Sequence, residues 1–296
     1  MLKIGYIGLG IMGKSVARNI LKAGFPVIVN NRSRAAVDEL VAEGATTLAS
    51  PAEIAKQVDV IFTNLPDTPD VEKVVFGENG IIKGAHAGLI FVDNSTIKPS
   101  AARSIAAEFV KKGVHALDAP VSGGDIGARN ATLTIMVGGD ASALKTVMPV
   151  FQAMGKTITH VGEAGAGQTA KAANQIMCAA QMVAMGELLV FSKKSGVDPR
   201  KVVEAIKGGA AQCWTLDVKT PRLFDGNRGP GFKARMQLKD LKIVRDTARE
   251  YGIPIPASET ITKLFEQMIE QGMGELDNSA VVAVLEKLAG VGILDK

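Results

Sequence analysis

The 296-residue sequence predicts an α/β fold: a mostly parallel, doubly wound sheet over residues 1–162, followed by an all-α part over residues 163–296. Three observations predict it. Short β-branched runs alternate with helical stretches from Lys3 to Val161, as strands joined by crossover helices require. Glycines close the helical stretches, and strand signals nearly vanish after Gly167.

Lys3 to Ile7 reads as a strand entering a glycine-rich turn, and Lys14 to Ala23 as a helix ended by Gly24, a natural C-cap. Phe25 to Asn30 is a second strand, Ala35 to Glu43 a helix closed by Gly44, and Val58 to Asn64 a third strand. Leu89 to Asn94, a helix from about Pro99 to Lys112 stopped by Gly113, and Val114 to Ala119 continue the alternation. Thr132 to Val137 and Thr157 to Val161 complete the sheet. Beyond it, helices are expected over about 168–195, 198–206, 238–251, 258–271 and 279–288, punctuated by Gly252, Pro254, Pro256 and Gly272. The first is long enough to be a spine joining the two parts. No internal repeat or low-complexity tract interrupts them.

With 47% hydrophobic and 22% charged residues the chain is ordinary globular material. The net charge of +4 is spread over interleaved Lys, Arg, Asp and Glu, so no basic stripe points to nucleic acid. A slight positive balance favours small anionic substrates. Cys178 and Cys213 form no CxxC pair, which fits a reducing cytoplasm, and His86, His115 and His160 are too scattered for a catalytic metal. Met1 to Gly13 superficially resembles a signal peptide, but four glycines break it. Ile176 to Phe191 carries Gln181 and Glu187 and is short for a bilayer span, so a buried helix is expected rather than a membrane anchor.

Gly8, Leu9, Gly10, Ile11, Met12 and Gly13 spell GxGxxG between a buried strand and a helix, the setting that gives the motif physical meaning. Gly8 permits the tight turn, Gly10 close approach to a pyrophosphate, and Gly13 close helix–sheet packing, with the helix N-terminus facing the phosphates. This predicts a Rossmann-type dinucleotide-binding domain. About 20 residues on, where NAD-specific folds place an acidic residue, stand Asn31, Arg32 and Ser33. Arg32 can pair with a 2′-phosphate and Asn31 or Ser33 can hydrogen-bond to it, so NADPH is accommodated and NADH is not excluded. Lys171 and Asn174, three apart at the start of the long helix, occupy neighbouring positions of one face and can reach one ligand together.

Together these blocks resemble the β-hydroxyacid dehydrogenases, over Met1 to about Ala289. The likeness rests on four segments: the GLGxMG turn; Asp118-Ala119-Pro120-Val121-Ser122-Gly123-Gly124; Gly162 through Asn174, similar to the signature GxxGxGxxxKxxxN; and Lys239-Asp240 in a late helix. The resemblance implies reduction of a small carboxylate-bearing semialdehyde, or oxidation of the matching 3-hydroxy acid, with NAD(P)H. It makes Lys171 the catalytic proton donor, with Asn174 beside it, a role that suits a group ordinarily protonated at neutral pH. Ser122, Gly123 and Gly124 become the substrate-carboxylate cradle, and Lys239 closes over cofactor and substrate. Leu65, Pro66 and Thr96 fall beside the nicotinamide half, and the family implies a homodimer or homotetramer. Ala131 departs from the pattern, since relatives often carry glycine before the Thr-Leu pair. Trp214 and Phe232 are candidates for apolar walls of the pocket or for core, and Met177, Met182 and Met185 for helix core.

Overall fold

In the N-terminal unit the strand sequences are nearly unbroken apolar runs because helices cover the sheet on both faces. The computed structural model describes residues 1–295, in two compact units: Met1–Lys171, and the residues from Ala172 on. Strands β1 (Ile4–Ile7), β2 (Val27–Asn30), β3 (Thr46–Thr47), β4 (Val60–Thr63), β5 (Ile90–Asp93) and β6 (His115–Asp118) are parallel, in the order β3-β2-β1-β4-β5-β6. β7 (Val121–Ser122), β8 (Leu133–Gly139) and β9 (Gly155–Gly162) extend it, with β8 antiparallel to β6 and β7 and parallel to β9.

Side chains alternate between two cores, as the two-residue period of a strand dictates. Ile4, Tyr6, Val27, Val29, Val60, Phe62, Ile90 and Val92 face one; Ile7, Ile28, Ile61 and Phe91 face the other. The chain runs from β1 outward to β2 on one side and returns to place β4 on the other. The reversal makes the carboxyl end of β1 a topological switch point, the usual place for a ligand in such sheets.

Among the described residues six helices lie outside those read from the sequence: Pro51–Ala55, Thr68–Phe76, Ile81–Gly84, Gly124–Arg129, Ala141–Gln152 and Trp214–Phe224. The Ser50, Asp67 and Asp140 side chains accept N-cap bonds that start three of them. Pro149 and Pro221 sit inside two helices and masked their periodicity. Ala131 has φ of +54°, the single non-glycine residue with positive φ among the described residues. The sequence departure noted there is therefore a backbone position that favours glycine.

In the second unit the C-terminal part of the 29-residue helix Ala166–Lys194 packs with the helices Ala234–Tyr251, Pro256–Glu270 and Val282–Ala289. Met182 and Met185 are in this core, whereas Met177, expected there too, is exposed. Helix Ala166–Lys194 is long and apolar enough to cross a membrane by length and composition, but half of its apolar window is buried within the protein. Core packing thus explains that apolar stretch. Buried Asp277 fastens three segments: it pairs with Lys219 at 2.7 Å and accepts from the backbone N–H groups of Gly231, Phe232 and Ser279. Burial pushes its carboxyl up, but Lys219 and these donors outweigh burial and hold it below the usual range.

Candidate active site

Each glycine of the GxGxxG turn is required for a different reason. A Cβ on Gly8, whose φ is +100°, would lie 2.3 Å from the Asn64 carbonyl oxygen, and one on Gly13 would lie 2.0 Å from the Gly8 carbonyl oxygen. Those two positions are closed by the protein itself. A Cβ on Gly10 would meet nothing within 4 Å, so open space lies in front of Gly10, where a pyrophosphate could approach the backbone. The residues present therefore fit a dinucleotide. Leu9 is buried, Met12 packs on the sheet core and Ile11 is exposed.

The Leu9 N–H donates to Asn31 Oδ1 at 3.0 Å, and Asn31 Nδ2 donates to the Ser33 carbonyl at 3.0 Å. The structure thus uses Asn31 to clasp the glycine turn to the loop after β2. Arg32 and Ser33, next to it in the same loop, are exposed.

The carboxyl ends of the next strands are tied into one network. Asp93 Oδ1 accepts from Thr63 Oγ1 at 2.8 Å and from the Ser95 N–H at 3.0 Å. Ser95 Oγ accepts from the Leu65 N–H at 2.8 Å, and Asn94 Nδ2 donates to the Ala119 carbonyl at 2.7 Å. Gln168 reaches back from the long helix, accepting from the Ile97 N–H at 3.1 Å and donating to the Ser95 carbonyl at 2.8 Å. Thr96, half-buried, is framed by these bonds on both sides, while Pro66 is exposed beside Leu65.

Asp118, at the end of β6, caps that helix in trans: its two oxygens accept from the Gly165 and Gln168 N–H groups, each at 2.7 Å. A Cβ on Gly138 or Gly167 would strike this carboxylate, at 2.5 Å and 2.9 Å. Burial pushes its pKa up to about 6 despite both donors, with the Asp93 charge adding to the rise. One turn further along the helix Lys171 is 7% exposed, and its Nζ donates to the Val121 carbonyl at 2.8 Å. An ammonium so withdrawn from water needs such a partner. Ser122 follows Val121 directly, then Gly123 and Gly124, both with positive φ. In the N-terminal unit the strand-end loops, Asp118 and the start of the helix that carries Lys171 are thereby tied together, with Lys171 bonded to the residue before Ser122.

In the second unit, Asn174 Nδ2 donates to Gln175 Oε1 at 2.8 Å and lies 3.3 Å from Cys178 Sγ. Gln175 Nε2 donates to Asp240 Oδ2, and Asp240 Oδ1 lies 2.7 Å from Lys239 Nζ. Asn174 and Lys239 thus belong to one polar chain. Trp214 is half exposed, so it is not core, and Phe232 is half-buried. Sequence reasoning gave no role to Asp118, Gln168, Ser95 or Gln175. The available signals were a carboxylate at a strand end ahead of a proline, and the spacing itself: in KxxxN the fourth residue after Lys171 is Gln175, and the asparagine stands at the third.

A Rossmann-type sheet with an open Gly10 and a withdrawn lysine beside a serine-glycine loop defines a dinucleotide-dependent oxidoreductase. Two family models match, the NAD binding domain of 6-phosphogluconate dehydrogenase over residues 3–162 and the NAD-binding domain of NADP-dependent 3-hydroxyisobutyrate dehydrogenase over residues 165–285. The 2-hydroxy-3-oxopropionate reductase of Escherichia coli (strain K12) is 42% identical, covering 97% of this chain and 98% of its own. Among solved structures, Mycobacterium tuberculosis 3-hydroxyisobutyrate dehydrogenase with L-serine superposes with a TM-score of 0.88 at 32% identity, covering 96% of this chain and 99% of that one. Psf3 in complex with NADP+ and 2-OPP gives 0.88 at 26% identity, covering 95% and 99%. The chain belongs to the β-hydroxyacid dehydrogenase family, related to 3-hydroxyisobutyrate dehydrogenase, and is an NAD(P)-dependent oxidoreductase of small hydroxy acids.

Proposed function

We propose that the chain is a tartronate semialdehyde reductase, converting 2-hydroxy-3-oxopropanoate to glycerate with NAD(P)H. The observation that carries the chemistry is buried Lys171, held by the Val121 carbonyl one residue from Ser122. The particular aldehyde is supported by the likeness to the E. coli reductase.

In this reading, the Ser122 hydroxyl and the Gly123 and Gly124 N–H groups hold the substrate carboxylate. The bound cofactor supplies hydride to the aldehyde carbon. Lys171 gives its proton to the carbonyl oxygen as charge develops there, leaving a neutral amine that water reprotonates. In the same reading Asn174 and Lys239 are further ligand contacts. Arg32 meets a 2′-phosphate, which admits NADPH without excluding NADH, and Thr96, Leu65 and Pro66 line the nicotinamide half. Assembly as a homodimer or homotetramer in the cytoplasm completes the reading.

The test is loss of reduced-nicotinamide absorbance, with NADPH and NADH in parallel, on adding tartronate, methylmalonate or succinic semialdehyde. Turnover fastest with tartronate semialdehyde supports the proposal, and Lys171→Ala should lower kcat by about 10²–10⁴-fold while cofactor still binds. Preference for methylmalonate semialdehyde would instead favour a 3-hydroxyisobutyrate dehydrogenase, the activity named for the M. tuberculosis structure. Cofactor binding without turnover would leave a non-catalytic sensor.

A further inference from the structure

One buried side chain holds both peptide groups of Thr96. Gln168 is 1% exposed; its Oε1 accepts from the Ile97 N–H at 3.1 Å and its Nε2 donates to the Ser95 carbonyl at 2.8 Å. An N–H only donates and a carbonyl only accepts, so the two partners fix which end of the amide faces which. Each bonded group belongs to a planar peptide unit on one side of Thr96, so the clamp sets the orientation of both units and with them the backbone of that residue. The backbone of Gln168 is held as firmly. Its N–H donates to Asp118 Oδ2 at 2.7 Å, and beside it a Cβ on Gly167 would lie 2.3 Å from the Asp118 carbonyl oxygen and 2.5 Å from that of Met136. The helix start therefore rests against β6 and β8 with no room to slide. Lys171 follows three residues later on the same face, with its Nζ on the Val121 carbonyl.

We propose that Gln168 is a positioning residue that locks the Ser95–Ile97 loop to the helix start carrying Lys171, so that the nicotinamide contact and the proton donor are set relative to each other by one side chain. The inference rests on the reductase reading, in which Thr96 lies beside the nicotinamide and Lys171 protonates the substrate oxygen. Hydride goes to the carbon and the proton to the oxygen of one carbonyl bond. Reduction is fastest when both donors are in register, and a displacement of about 1 Å costs on the order of 10²-fold. Asp118 holds the helix to β6, and Ser95 Oγ holds the loop to the Leu65 N–H. Gln168 spans loop and helix.

Gln168→Met keeps the length of the side chain and removes both polar ends. In the full chain without cofactor, amide hydrogen exchange at Ile97 should be about tenfold faster in the variant than in the wild type, with exchange along β1 unchanged. Unchanged protection at Ile97 overturns the proposal. Single-turnover oxidation of bound NADPH, by whichever semialdehyde the wild type reduces fastest, is then compared in the wild type, Gln168→Met, Lys171→Ala and the double variant. Gln168→Met should slow this step by about 10–10²-fold, but by less than about threefold when Lys171 is already alanine, because no proton donor remains to be aligned. An equal loss in both backgrounds marks a purely structural role and overturns the proposal. Should Gln168→Met fail to fold, Gln168→Asn serves, an amide one methylene too short to reach both partners, with a smaller loss that depends on Lys171 in the same way. A wild type that binds NADPH and reduces no semialdehyde overturns the reductase reading and this proposal with it, while exchange at Ile97 still reports the clamp.

Discussion

Replacing Asp118 with asparagine should change how stability responds to pH between about 4 and 6. In the folded chain burial raises this carboxyl to about 6, against 3.8 for an ordinary aspartate. Below pH 4 it is protonated in both folded and unfolded chains, and its favourable contribution is fully present. As pH rises, the unfolded chain releases its proton first, so the folded state holds more protons and loses stability until about pH 6. A gap of roughly two pKa units corresponds to at most about 3 kcal/mol. Asparagine does not titrate. It keeps one acceptor for Gly165 or Gln168 and turns an NH2 group at the other, costing about 1–3 kcal/mol. Urea denaturation of both proteins followed by far-ultraviolet circular dichroism, in half-unit steps from pH 4 to 7.5, should show their difference drifting toward the variant by about 2–3 kcal/mol. A difference constant across that range would refute the reasoning.

Gly10→Val should fold with a nearly unchanged melting temperature yet lose cofactor affinity by about tenfold or more, whereas Gly13→Ala should lower the melting temperature, since its Cβ meets the Gly8 carbonyl oxygen. Thermal melts and cofactor titration separate the two. Ala131→Gly should stabilise the chain by about 0.5–1 kcal/mol by relieving the left-handed backbone, read as a higher denaturation midpoint at unchanged slope. Asp277→Ala, which strands Lys219 and several N–H donors in the helical unit, should cost about 3–5 kcal/mol, and Lys219→Met in the same chain should recover part of it.

The sheet was legible because its strands announce themselves as β-branched runs closed by glycines, and the GxGxxG turn because a strand and a helix flank it. The helices Ala141–Gln152 and Trp214–Phe224 were not, because an internal proline in each interrupts the pattern that marks a helix. Lys171, Ser122 and the glycines carried the candidate site through local motifs. Asp118 and Gln175 act through partners far away in sequence, Gly165 and Gln168 for the first and Asp240 for the second. Such long-range hydrogen bonds leave no trace in spacing. Asn31 illustrates a subtler gap: its position suggested a phosphate contact, but both ends of its amide serve the backbone.

That clasp has a consequence for how the family can diversify. Because Asn31 carries the geometry of the loop, its neighbour Arg32 is released from any architectural duty and stands in solvent. In the proposed reading, where Arg32 meets a 2′-phosphate, mutation at that one position would exchange a preference for the phosphorylated dinucleotide against its plain counterpart without disturbing the turn behind it. Lys171 has no such freedom, being sunk among the strand ends. On that reading, cofactor choice can drift with the redox economy of the host while the proposed proton donor stays where it is.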